Sequence, residues 1–160
     1  MRLQVIAAGR LKPGPEKSLA EDYLTRAQGL GRKCGIAKIA VTEFNESQSS
    51  SAAARMAEEG RIIAGALPPK AFTVVLDERG KALASEAFAD LLRRHLDGGT
   101  GDMAFLIGGP DGHAPDLREG AGLLMSFGPM TWPHRLVRVM LFEQLYRAVT
   151  IIAGHPYHRV

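Results

Sequence analysis

Two loops carry the residue types from which a ligand site can be built. The first reads Gly108-Gly109-Pro110-Asp111-Gly112-His113 and follows an apolar run ending at Ile107. The second reads Phe127-Gly128-Pro129-Met130-Thr131-Trp132-Pro133-His134 and follows the short run 123–127. Glycine lets a ligand approach the main chain, and proline holds a loop in one shape. Loops at the carboxyl ends of parallel strands are where α/β proteins bind ligands. Two of them inside the stretch 106–146 suggest one shared pocket. The first loop also reads as a plain tight turn. It lacks the G-x-G-x-x-G spacing of a dinucleotide site and follows the fourth strand, and no Gly-Lys-Ser/Thr follows to make a P-loop.

Nucleophilic chemistry is not expected. There is no G-x-S-x-G elbow, and no serine stands in a nucleophile context. The five histidines cluster late in the chain, with His134 beside the second loop and His155 and His158 in the tail. Asp77-Glu78 reads either as an acid/base pair or as a solvated turn. Met130 and Trp132 either line an adenine pocket or join the core. The tail, Gly154-His155-Pro156-Tyr157-His158-Arg159-Val160, interleaves aromatic and basic groups. That mixture suits stacking on unpaired bases and contact with phosphate; the alternative is a tail that packs into a groove. No metal site is expected, because the tail histidines lack acidic or thiol companions and Cys34 is the single cysteine.

The elements that must position these loops follow from hydrophobic patterning. Short apolar runs at 2–8, 36–42, 72–76, 103–107 and 123–127 read as strands, the last of them short. Helical spacing covers 17–30, 52–67, 85–97 and 134–152, with a short helix at 116–121. Asp77 to Lys81 reads as a polar turn, Ser85 as a helix N-cap, and Pro133 as the opening of the last helix. The alternation predicts one α/β domain over 1–160, a parallel sheet with helices on both faces. The closing helix is apolar nearly all round, which places it at the core or against a second subunit, with Leu141 and Leu145 as interface positions. Glu143 and Arg147 are spaced to pair. Arg135 and Arg138 sit at the helix start, where the dipole disfavours cations, so they look for an anion, a carboxylate or water.

With 46% hydrophobic residues over 160 positions, the chain can bury a proper core and is not disordered. No run is long and apolar enough for a membrane span, the start reads as a strand rather than a signal peptide, and one cysteine fits a reducing cytoplasm. A net charge of +3 is compatible with an anionic partner but weak by itself.

Taken in order, several segments resemble the ribosomal RNA large subunit methyltransferase H family, a minimal branch of the SPOUT superfamily. The segments are Ala7-Ala8-Gly9-Arg10-Leu11-Lys12, Leu76-Asp77-Glu78-Arg79-Gly80-Lys81, the loop 107–112, Met130-Thr131-Trp132-Pro133-His134, Arg138-Val139, Glu143-Gln144-Leu145-Tyr146-Arg147-Ala148 and His155-Pro156-Tyr157-His158. The resemblance covers essentially the whole chain. It implies a C-terminal trefoil knot, a homodimer, S-adenosyl-L-methionine as methyl donor, and N3 of a pseudouridine in 23S ribosomal RNA of the assembled ribosome as acceptor. By position it assigns the cofactor to Leu76, Gly108, Phe127, Gly128, Pro129, Met130, Thr131 and Trp132. The chain departs from the family at Gly128-Pro129 and at Arg135, so backbone groups are expected to make the contacts at 128 and 129.

That chemistry requires the N3 proton to be removed or the anion stabilised. His134 and His158 are the candidates to do so, with Tyr157 stacking on the base and Arg138, Arg147 and Arg159 holding phosphate. The tail of one subunit is expected beside the cofactor loop of the other. Two other readings stand beside this one: a non-catalytic ribosome-binding or assembly module with a nucleotide-like pocket, and a binder of another nucleotide.

Overall fold

The computed structural model describes residues 1–158. Five strands, β1 (Arg2–Ala8), β2 (Lys38–Phe44), β3 (Phe72–Ala82), β4 (Asp102–Ile107) and β5 (Leu123–Ser126), form one sheet in the order β2-β1-β4-β3-β5. Every pairing is parallel. The helices are α1 (Pro15–Gly31), α2 (Ala52–Ala66), α3 (Ser85–Asp97), α4 (Pro115–Glu119) and α5 (His134–Ile152).

Side chains alternate across a strand, and the central strands bury both sets. On β1, Leu3, Val5 and Ala7 enter one core layer, and Ile6 and Ala8 enter the other. On β4 the same split separates Met103, Phe105 and Ile107 from Ala104 and Leu106. The larger layer is covered by α1, α3 and α5; the smaller receives Ile63 of α2 and Leu117 of α4. Two covered faces explain why these strands are apolar throughout rather than alternating with polar residues.

Four expectations need correction. The segment 77–81 is not a polar turn: β3 continues to Ala82, and its register against β5 shifts between Leu76 and Lys81. The crossing is close, because a Cβ on Gly80 would lie 2.5 Å from the Met125 carbonyl carbon. Only glycine fits there, and the polar side chains on either side face outward. Ser85 does not cap α3; Ala84 takes the N-cap position without a side-chain bond, and the Ser85 hydroxyl donates to Gln144 Oε1 at 2.8 Å. Pro133 is the N-cap of α5 and not its first residue. Leu141 and Leu145 are fully buried within the chain itself, where α5 packs on α1 and α3. They are core, not interface, positions. The apolar breadth of α5 is largely accounted for by that packing, and its exposed large apolar residue is Leu136.

Candidate active site

The carboxyl ends of β4, β3 and β5 open onto a cavity of about 670 Å³. Its floor is Leu76, Ile107 and Met125, which pair side by side on three adjacent strands. Its walls are the two glycine loops.

The first loop is held from within. Gly112 N–H donates to the Gly109 carbonyl at 3.0 Å, closing a tight turn. A Cβ on Gly108 would meet the Gly112 carbonyl at 3.0 Å and His113 Nε2 at 3.2 Å, and one on Gly109 would meet the Glu59 carboxylate at 2.9 Å. The glycines are therefore required by the loop's own closure as well as by any ligand. Glu59 is buried and accepts from Ser47 N–H at 3.0 Å. Arg55 grips Asp111 through Nε at 2.6 Å and Nη2 at 3.0 Å, which holds the Asp111 carboxyl below its usual range.

The second loop is fixed at its root. The Ser126 hydroxyl donates to the Gly128 carbonyl at 2.8 Å and accepts from Gly128 N–H at 3.1 Å. Beyond that point Met130 and Trp132 are 67% and 38% exposed, so neither is core. Leu76, Gly108, Phe127, Gly128, Met130, Thr131 and Trp132 all line the cavity, whereas Pro129 is exposed outside its lining.

Of the candidate catalytic residues, His134 alone lies at the cavity, with Nε2 3.3 Å from Glu46 Oε1. Tyr157 and His158 are elsewhere in the same chain. The Tyr157 hydroxyl donates to Glu143 Oε1 at 3.1 Å, its ring packs on Tyr146 at 4.6 Å, and the Arg147 guanidinium lies 4.9 Å from the ring centroid. Burial and the neighbouring Glu143 carboxylate push its phenol pKa up. His158 Nε2 lies 2.9 Å from Glu86 Oε1. Within one chain the described tail is thus an ordered segment packed over α3 and α5.

The arginines separate likewise. Arg147 pairs with Glu143 at i,i+4, as the spacing predicts, and stays partly exposed. Arg138 is a correction: it is fully buried, pairs with Glu43, and donates to the carbonyls of Ala8 at 3.1 Å and Gly9 at 2.9 Å. A guanidinium used in this way ties α5 to the end of β1 and has no face left for phosphate. Arg135 is exposed. Arg159 lies outside the described residues. Asp77-Glu78 splits: the Asp77 side chain is 8% exposed, 4.0 Å from Arg118, while Glu78 is exposed. His113, a wall residue that the pattern did not single out, is 3% exposed. Among the described residues no three His, Cys, Asp or Glu are placed to hold a metal, and no helix is long and apolar enough to cross a membrane.

The family model described as a predicted SPOUT methyltransferase matches residues 1–158. A protein of Bradyrhizobium diazoefficiens named ribosomal RNA large subunit methyltransferase H is 54% identical over 159 residues, covering 99% of each chain. This chain belongs to that SPOUT methyltransferase family. Relatives of the same name from Rhodopseudomonas palustris and Cereibacter sphaeroides are 54% and 53% identical, over 99% and 100% of this chain and the same shares of their own.

Proposed function

We propose that this chain methylates ribosomal RNA, taking the methyl group from S-adenosyl-L-methionine held between the two loops, and that its acceptor is N3 of a pseudouridine in 23S RNA on the assembled ribosome. The observation that carries this reading is the convergence of Leu76, Gly108, Phe127, Gly128, Met130, Thr131 and Trp132 on one cavity beside three adjacent strands. Its volume lies within the range of about 300–1,000 Å³ usual for small-molecule sites. The bare Gly108 backbone, the apolar Met130 and Trp132, and the unpaired buried ring of His113 fit a ligand that is part aromatic and part polar.

The bound donor supplies an activated methyl group on a sulfonium centre. The chain's task is alignment: holding donor and acceptor in line removes much of the entropic barrier. His134, at the cavity and beside Glu46, takes the N3 proton, and Glu46 orients the ring. Tyr157, His158 and Arg147 are not among the wall residues of their own cavity, so they act at a cavity from a second copy. A homodimer that seats one tail beside the partner's second loop brings them there. Met130, Trp132 and Leu136 form the exposed apolar surface for that contact. The same reading includes the trefoil knot and a cytoplasmic setting where ribosomes are found.

The test is transfer of a labelled methyl group to ribosomes that lack the modification. Wild type should label 23S RNA at one site, and His134→Ala should lose most of the rate while binding the donor. Donor binding with no labelling would favour the assembly-module reading; no donor binding would favour another nucleotide. In sedimentation, wild type should run as a dimer and Leu136→Asp should shift toward monomer. A wild-type monomer at all concentrations would remove the composite site.

A further inference from the structure

His113 stands out in the cavity wall. Its ring is almost fully buried, yet neither Nδ1 nor Nε2 has a hydrogen-bond partner among the described residues. The carbonyls of Leu76 and Leu106 face the ring without meeting hydrogen-bond geometry. An unpaired buried donor or acceptor is unfavourable, and a leucine would fill the same space without that cost. The point where a Gly108 side chain would begin lies 3.2 Å from Nε2, so the ring edge and the bare glycine form one patch of wall. That patch borders Leu76 and Gly108, two of the positions where the donor is proposed to sit.

We propose that His113 is a donor-recognition residue: its neutral imidazole hydrogen-bonds an adenosyl sulfonium donor, and its protonation sets the acid limit of donor binding. This rests on the cavity being the donor site. Burial pushes the ring below the ordinary imidazole pKa, so it is neutral at neutral pH. Asp77 of β3 favours the charged ring, and Arg118 of α4 opposes it. Asp111, on His113's own loop, is engaged by Arg55 of α2. When the ring protonates, a cation is added beside the sulfonium cation. The demethylated product, a neutral thioether, is penalised less. The device therefore separates donor from product on the acid side.

The experiment is calorimetry with S-adenosyl-methionine and S-adenosyl-homocysteine between pH 5.5 and 8, with melting curves, on wild type, His113→Leu and His113→Gln. Wild-type donor affinity should fall toward the acid end, by less than about tenfold at pH 5.5 because the ring titrates below the ordinary imidazole value, and product affinity should fall less. His113→Leu should bind the donor about fivefold more weakly at pH 7.5, have a flatter pH profile, and melt about 2–4 °C higher, because an unpaired polar group has gone. His113→Gln should keep most of the affinity and lose the acid dependence. His134 also lines the cavity, so the difference between wild type and the variants, not the wild-type slope alone, decides the matter. A His113→Leu protein with wild-type affinity and profile would overturn the proposal. So would one that melts lower and binds neither ligand, which would make the ring structural. Wild type that binds neither compound at pH 7.5 would overturn the donor-site reading itself, and this proposal with it.

Discussion

The two loops that wall the cavity are built oppositely. Loop 108–113 is closed by its own backbone bond, backed by the Glu59 carboxylate, and pinned by Arg55 on Asp111. Loop 127–133 is bonded at Ser126 and then presents Met130, Thr131 and Trp132 to solvent. One loop is finished by the chain that carries it. The other holds apolar surface that only a ligand or a second subunit can cover. On the proposed reading the donor meets a preformed floor and one wall, and the second loop closes over it on binding, so part of the binding energy goes into fixing that loop.

The largest effect should come from breaking the finished loop. Gly108→Val drives a side chain into the Gly112 backbone and the His113 ring, and should cost about 2 kcal/mol or more in stability and abolish donor binding in calorimetry. An unchanged unfolding midpoint would show that the loop is not closed as described. Next is Arg55→Ala. Both partners of the pair are partly exposed and screened by solvent, so the expected loss is small. That loss depends on pH. Asp111 has a folded pKa below its unfolded value, so its contribution is present above about pH 3.9 and disappears as pH falls through the lower folded value. Wild type and Arg55→Ala should therefore differ in urea midpoint at pH 7 and converge near pH 2. The smallest effect on stability belongs to the open loop: Trp132→Ala should change unfolding by no more than about 0.5 kcal/mol, yet weaken donor binding measurably. A large loss of stability would show Trp132 to be packed, contrary to its exposure.

The same contrast separates what was legible in the sequence from what was not. The presence of the five strands and the full extent of α5 from His134 to Ile152 follow from periodicity, and the parallel sense from the alternation of strand and helix, because both faces of the sheet are buried and the pattern is strong. The two loops were visible through glycine and proline, the family resemblance singled out positions on them, and the structure brings those positions other than Pro129 to one cavity. Periodicity does not say what covers a helix face, so Leu141 and Leu145 read as interface although α1 and α3 bury them. Nor does it reveal a partner far along the chain: Arg138 reads as a phosphate contact until Glu43 and the carbonyls of Ala8 and Gly9 surround it. The strand through 77–82 was hidden because Glu78, Arg79 and Lys81 face outward, and the sign of it was Gly80 alone. Histidine in a glycine loop is ordinary in a sequence; at His113 the meaning lies in the missing partners, which only three dimensions show.

Hydrogen exchange with and without S-adenosyl-homocysteine tests the central claim most directly. The account predicts that amides of 108–113 are already protected in the free protein and change little, while those of 127–133 exchange rapidly and become strongly protected when ligand binds. Equal protection of both loops before ligand, or ligand-induced protection that spares 127–133, would contradict it.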